Sequence, residues 1–388
     1  MNALVIGGGK IGRGFIGQVL YEAGYQLTFV DVSEPLIRQI NDFKQYTVVV
    51  LGASQKEILI ERIRGHLPHD PASIQAFSQA DIVTTAVGPA VLPKTADFIA
   101  QGIKRRYAER ITKPVSIIAC ENMAFGSSVL FQEVKKKLSE NELEFCDRYI
   151  GFPDAEVSRM VLPISEDADN PLGVKVEQYM EWIVDREKVK GDLSKIREIK
   201  LTNRPEAYIK RKMYTLSGHA MLAYLGFEKG YRYVFEAAYD EEIFQTVFMA
   251  LTECGEAWCA EYGMSREEYA LYVATMLRRF SDPRLEDPIS RVAQEPLRKL
   301  GANERFIGPA CNCLEHNIEP VFIIKGILSA LFYRNPADQQ SIMLQRMLEE
   351  DGIEEVLQKT CGLDRSARLY QLVLKAFRAD NRIKPAAR

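Results

Sequence analysis

The sequence predicts an α/β N-terminal domain built on a parallel sheet, followed by a mainly α-helical C-terminal domain. Three observations carry this reading. Short apolar runs alternate with helical patterns over the first third of the chain. The pattern is strand-like from about 150 to 185, and after about residue 200 it is almost entirely helical. Charged and helix-breaking residues cluster over 190–203, so the domains are placed at 1–195 and 196–388.

The elements follow in order. NALVIG is a compact apolar strand, and IGRGFIGQVLYEAG is a helix with apolar residues at spacings of three and four. QLTFVDV is a second strand, and DIVTTAV and VSIIAC are later ones, each followed by a helical stretch. TVVVLG and EILIERI read as an extra β pair inserted between the halves. RYIGF, VSRMVL and LGVKVEQYMEWIVD are strand-like. NRPEAYIKRKMYTL, EEIFQTVFMALTECGEAWCAEYG, SREEYALYVATMLRRF and SARLYQLVLKAF are amphipathic helices. Asn203 ahead of Pro205, and Ser265 ahead of two glutamates, read as helix caps.

Composition bounds the function. The chain has 388 residues, 47% hydrophobic and 27% charged, with a net charge of −3. That supports a substantial core and gives no reason to expect nucleic acid or an anionic membrane as a partner. The longest apolar run, PVFIIKGILSALFY, is interrupted by Lys325 and is too short to span a bilayer. Met1 leads directly into the first strand without a basic, cleavable leader, so a cytoplasmic location is expected. Of the seven cysteines, Cys254 and Cys259, and Cys311 and Cys313, come closest together, but neither spacing is C-x-x-C. Reduced thiols and no metal are the expectation.

Gly7, Gly9 and Gly12 stand in G-x-G-x-x-G register between the first strand and the first helix. In that context Gly7 permits the tight turn, Gly9 lets the backbone approach a pyrophosphate, and Gly12 lets helix and strand pack closely. Lys10 and Ile11 complete the loop, and the helix N-terminus offers free N–H groups to phosphate. Asp31 ends the second strand, where a carboxylate accepts hydrogen bonds from a ribose 2′-OH and repels a 2′-phosphate. NAD is therefore the expected cofactor, on a Rossmann-type domain. Val87, Gly88 and Pro89 end another strand, where backbone would lie along the nicotinamide side.

Taken together, IGRGFIG, LTFVDV, DIVTTAVGP, IIACENM, EWIVD and PLRKL resemble the mannitol dehydrogenase family, the polyol-specific long-chain dehydrogenase/reductases. The resemblance runs in order from residue 1 to about residue 335. It implies metal-independent, reversible hydride transfer between NAD and a sugar alcohol phosphate, mannitol 1-phosphate giving fructose 6-phosphate. It implies a lysine general base at Lys212, flanked here by RK, Tyr214 and TL. It implies an oxygen-binding asparagine at Asn122 and a substrate-orienting histidine at His219. The family has a further asparagine on the lysine's helix, before the histidine. This chain has Ser217-Gly218 there and is one residue shorter.

A one-residue deletion turns everything beyond it by about 100° and shifts it about 1.5 Å along a helix. Lys212 and His219, seven apart, would still share a face about 10 Å apart, and Gly218 offers a place for the helix to bulge or end. Ser217 is left as the shorter-reaching substitute for the lost amide. Losing one such donor typically costs roughly 10²–10³ in rate. In PLRKL, Arg298 and Lys299, with Arg291 upstream, are the candidate phosphate ligands. Gln294 occupies a position where relatives carry another arginine. The expected partner is a small sugar alcohol phosphate; the sequence leaves the oligomeric state open, a monomer among the alternatives. The alternatives are an unphosphorylated polyol or sugar acid as substrate, or an NAD-binding relative with impaired catalysis.

Overall fold

The computed structural model describes residues 1–52, 54–163 and 171–382. It divides into two compact units, Met1–Ile209 and Lys210–Arg388. The sequence pattern places the break at 195/196, where strands give way to helices. Packing places it later. The first turn of the Pro205–Glu228 helix buries Ala207 and Tyr208, and Lys200 Nζ lies 4.9 Å from the Tyr208 ring centroid.

The first unit is built on six parallel strands: β1 (Asn2–Ile6), β2 (Gln26–Val30), β3 (Arg64–His66), β4 (Ile82–Thr85), β5 (Val115–Ala119) and β6 (Ile150–Gly151). Their order is β3-β2-β1-β4-β5-β6, the arrangement of dinucleotide-binding sheets. The central strands are buried on both faces, as a doubly covered parallel sheet requires. Alternation sorts their residues. Ala3, Val5, Ile82 and Ile118 face one core, with Phe15, Val19 and Trp182. Leu4, Ile6, Val83 and Ile117 face the other, with Phe77, Ile103 and Val134.

The helix after β1 is wound as a π-helix over Gly12–Gly17 and continues as an α-helix over Gln18–Glu22. Its glycines fit it between two layers. A Cβ on Gly14 would come 2.6 Å from Val161 Cγ1, and one on Gly17 would come 2.7 Å from the Tyr46 hydroxyl. That hydroxyl donates to the Arg13 carbonyl at 2.9 Å, within the same wide turn.

The inserted β pair forms as expected. Gln45–Leu51 and Lys56–Glu61 are antiparallel, and Val174–Glu177 adds in parallel beside the first. Val161–Pro163 completes that four-stranded sheet. Ala155–Ser158, Glu181–Asp185 and Ile199–Thr202 form a separate three-stranded sheet.

The second unit is helical. Its longest members are the Pro205–Glu228 helix, which begins at the end of the first unit, and the Glu241–Tyr262 and Arg266–Phe280 helices. Ser265 caps the last of these, accepting from the Glu268 amide at 3.2 Å. Gly255 brings the Glu241–Tyr262 helix against the ring of Tyr269, where a Cβ would approach to 2.1 Å. Among the described residues no helix is long and apolar enough to cross a membrane.

Candidate functional site

In the first unit, the expected cofactor residues converge at the C-terminal edge of the parallel sheet. The loops after β1 and β4 meet at the point where the strand order reverses, the usual ligand crevice of such sheets. Gly7 has φ +102, and its amide donates to the Val30 carbonyl at 2.7 Å. A Cβ there would stand 2.6 Å from the Ala86 carbonyl oxygen, so only glycine fits. A Cβ on Gly12 would stand 1.9 Å from the Gly7 carbonyl oxygen, which fixes how closely the helix approaches the loop. Gly9 faces open space, with no atom within 4 Å of a Cβ position. The loop therefore has the shape of a phosphate cradle, tight against protein at Gly7 and Gly12 and open at Gly9. Lys10 is exposed and Ile11 half-buried beside it.

Asp31 lies within this cluster. One carboxylate oxygen accepts from the Gly8 amide at 2.8 Å, the other from the Ser33 amide at 2.9 Å. Arg13, buried, braces the same loop by donating to the Gly8 carbonyl and, at 2.9 Å, to the Leu172 carbonyl. Burial lowers its guanidinium, partly offset by Tyr46 and Asp31.

The Val87-Gly88-Pro89 turn is pinned by a residue that the sequence reading passes over. Glu121 is buried, and its carboxylate accepts from Thr85 Oγ1 at 2.8 Å and from the Val87 amide at 2.9 Å. Burial raises its carboxyl, against the hydrogen bonds that lower it. Gly88 has φ +91 and open space beyond it, and Pro89 is exposed. Asn122, next in the chain, is exposed on the loop after β5. It does not cap the following helix, whose N-cap is Phe125.

In the second unit, the Pro205–Glu228 helix runs through Ser217-Gly218 without bulge or break. Gly218 serves packing instead: a Cβ would come 2.9 Å from Leu251 of the neighbouring helix. Seven residues of unbroken helix leave Lys212 and His219 within about 20° of one another around the axis. Both are half-buried. The flanking cations have other partners. Lys210 pairs with Glu261 at 2.5 Å, and the buried Arg211 guanidinium lies 3.7 Å from the Tyr272 ring centroid.

His219 is held by a carboxylate, not by backbone. Its Nε2 is 3.0 Å from Asp287 Oδ2, and its ring stacks on Phe280 at 4.6 Å. Burial lowers the imidazole more than Asp287 raises it. This direction favours the neutral ring, whose Nε2 then carries the proton that Asp287 accepts. Asp287 also accepts from Arg291 Nε at 2.9 Å and Nη2 at 2.6 Å. Its carboxyl is lowered by His219 and Arg291 against the opposing effect of burial. Ser217 is fully buried, and its hydroxyl donates to the Arg305 carbonyl and, at 3.3 Å, to that of Met213. A hydroxyl so engaged does not take the place of the missing asparagine.

The basic segment divides in two. Arg298 is exposed and pairs with Glu295 at 2.8 Å and Glu304 at 3.3 Å. Lys299 turns inward: it is buried, donates to the Val292 carbonyl at 2.7 Å and to the Gln294 carbonyl, and burial pushes its ammonium down to about 7. Arg305, absent from the sequence reading, joins this group. Its guanidinium is largely buried, with Nε 3.7 Å from Glu304 and no hydrogen-bond acceptor for Nε among the described residues. No signal in NERFIG distinguishes it from a surface arginine. Among the described residues, no group of three or more His, Cys, Asp and Glu side chains is arranged to hold a metal ion.

Comparison with known proteins agrees with this architecture. Residues 1–198 match the mannitol dehydrogenase Rossmann domain, and 205–379 match the mannitol dehydrogenase C-terminal domain. The chain is 40% identical to mannitol-1-phosphate 5-dehydrogenase of Bacillus pumilus over 378 residues, 97% of this chain and 99% of the relative. It is 39% identical to the protein of that name from Oceanobacillus iheyensis over 381 residues, 97% and 98% of the two chains. Two solved structures share the fold. D-sorbitol dehydrogenase in substrate-free form has a TM-score of 0.79 at 16% identity, covering 97% of this chain and 92% of that one. Pseudomonas fluorescens mannitol 2-dehydrogenase, in a ternary complex with NAD and D-mannitol, has a TM-score of 0.72 at 17% identity, covering 97% and 90%. The chain belongs to the mannitol dehydrogenase family of NAD-dependent oxidoreductases.

Proposed function

We propose that the chain catalyses reversible oxidation of mannitol 1-phosphate to fructose 6-phosphate, with Lys212 as general base and without a catalytic metal. The observation that carries this reading is the near-complete, about 40% identical match to two mannitol-1-phosphate 5-dehydrogenases. NAD, when bound, supplies the hydride acceptor. Gly7, Gly9, Lys10, Ile11 and Gly12 would hold its pyrophosphate, Asp31 its adenosine ribose, and Val87, Gly88 and Pro89 its nicotinamide end. Lys212, as general base, removes the substrate hydroxyl proton, and the Asn122 amide donates to the oxygen as charge develops. His219, with its Nε2–H held by Asp287, offers Nδ1 as acceptor to a neighbouring hydroxyl. Arg298 and Arg291, together with Arg305, take the phosphate. Lys299 reaches it only by leaving two carbonyls. The enzyme works in the cytoplasm.

One observation favours a second reading. Ser217 spends its hydroxyl on backbone, so the oxygen-binding set lacks a donor. A chain so altered acts slowly, turns over an unphosphorylated polyol or sugar acid, or only binds NAD. Oxidation of NADH with fructose 6-phosphate and with fructose separates these. A large excess of kcat/KM for the phosphorylated ketose is expected; equal values discard the phosphate claim. Saturable NAD binding without turnover of either supports the impaired reading.

A further inference from the structure

Among the described residues, Arg159 is a buried cation with no bonded anion. Only 8% of the residue is exposed. Its Nε donates to the Glu177 carbonyl at 3.1 Å, and Nη1 donates to Gln18 Oε1 at 2.8 Å and the Gly14 carbonyl at 3.2 Å. All three acceptors are uncharged. Its positive face also lies 5.9 Å from the Phe15 ring centroid. Among the described residues no carboxylate is bonded to this guanidinium, and Nη2 has no acceptor. Burial pushes it down to about 10; Glu177 and Glu22 act on it only through space. Glu22 is itself engaged, accepting from Gln18 Nε2 at 2.8 Å and standing 3.9 Å from Lys56. A largely buried charge in this condition is costly unless water or an anion reaches it through an adjoining cavity.

The room for an anion is there. Arg159 lines a cavity of about 810 Å3 in the first unit. Lys56, Lys195 and Arg197 also line it, with Glu22 and Glu198 as the carboxylates and Gln178 and Ser194 as polar groups. Gln18 and Glu22 place the cavity at the end of the first helix remote from Gly9 and the phosphate cradle.

We propose that this cavity is a second ligand site, which takes a small hydroxylated carboxylate or phosphate. Its anionic group bonds to Arg159 Nη2 and to Lys195 and Arg197, and its hydroxyls bond to Gln178 and Ser194. A guanidinium N–H pair matches the oxygens of either anion.

Calorimetry on the full chain saturated with NADH, titrated separately with citrate and with inorganic phosphate, tests this. Saturable binding by at least one anion is expected, and the tighter arm identifies the chemistry. Amide exchange should slow over 14–22, 176–180 and 194–198 on binding. Lys195→Glu combined with Arg197→Glu, both at exposed positions, should weaken the anion by about tenfold or more and leave NADH affinity unchanged. No saturable binding by either anion, binding unchanged in the double variant, or protection confined to other segments would each overturn the proposal.

Discussion

His219 Nε2 and Asp287 Oδ2 stand 3.0 Å apart, and the other oxygen of Asp287 is clamped by Arg291. The carboxylate thus sets the tautomer of the imidazole and ties it to an arginine that is 61% exposed. Asp287→Asn removes the charge that raises His219, so the imidazole midpoint should fall further below its ordinary value. Arg291→Gln removes a charge that lowers it, so the midpoint should rise. Histidine ring NMR reads both. Loss of such an orienting partner should reduce kcat/KM by roughly 10–100-fold in Asp287→Asn. Shifts of the same sign in the two variants would contradict this arrangement.

Lys212→Ala should abolish turnover while leaving NAD affinity nearly intact. Equilibrium titration of NAD, beside steady-state rates, separates the two effects. Retained turnover removes Lys212 from the role of base.

Lys299 should leave a signature in stability against pH. Its folded value, about 7, lies below the ordinary 10.5. Between these values the unfolded chain holds a proton that the folded chain does not, so stability rises with pH across that window. Below about 7 both states are charged, and the cost of the buried ammonium is fully present. The stability of the natural protein minus that of Lys299→Met should therefore grow as pH rises from 7 to 10. Chemical denaturation at several pH values measures it; a flat difference means that Lys299 is not held neutral.

Gly9→Ala and Gly12→Ala should part company. At Gly9 a Cβ meets no protein atom, so melting should barely change while NAD binding is lost. At Gly12 a Cβ would collide with the Gly7 carbonyl, so stability and binding should fall together. Thermal melts with and without NAD distinguish the two.

Asp31→Asn should relax coenzyme choice. The carboxylate that repels a 2′-phosphate is gone, so the preference for NAD over NADP should fall. The Gly8 and Ser33 amides also lose a charged acceptor, at about 1–3 kcal/mol, so NAD itself should bind more weakly. An unchanged NAD-to-NADP ratio of kcat/KM would show that Asp31 does not read the ribose.

The sequence alone determined the parallel sheet, the glycine loop with Asp31, the inserted β pair and the helical second half. Each of these is written in local periodicity and in residues whose backbone needs are specific, such as Gly7 at positive φ. The tertiary structure decided what long-range pairing controls. Val174–Glu177 joins the inserted pair from more than a hundred residues away. Glu121 folds back onto Thr85 and Val87, and Asp287 reaches His219 across 68 positions. It also decided the fate of similar-looking side chains. Arg298 and Lys299 are neighbours in PLRKL, yet one is exposed among carboxylates and the other is buried on two carbonyls. A helix turns successive residues by about 100°, so adjacent cations face different surroundings, and only the packed neighbours decide which of them keeps its charge in water.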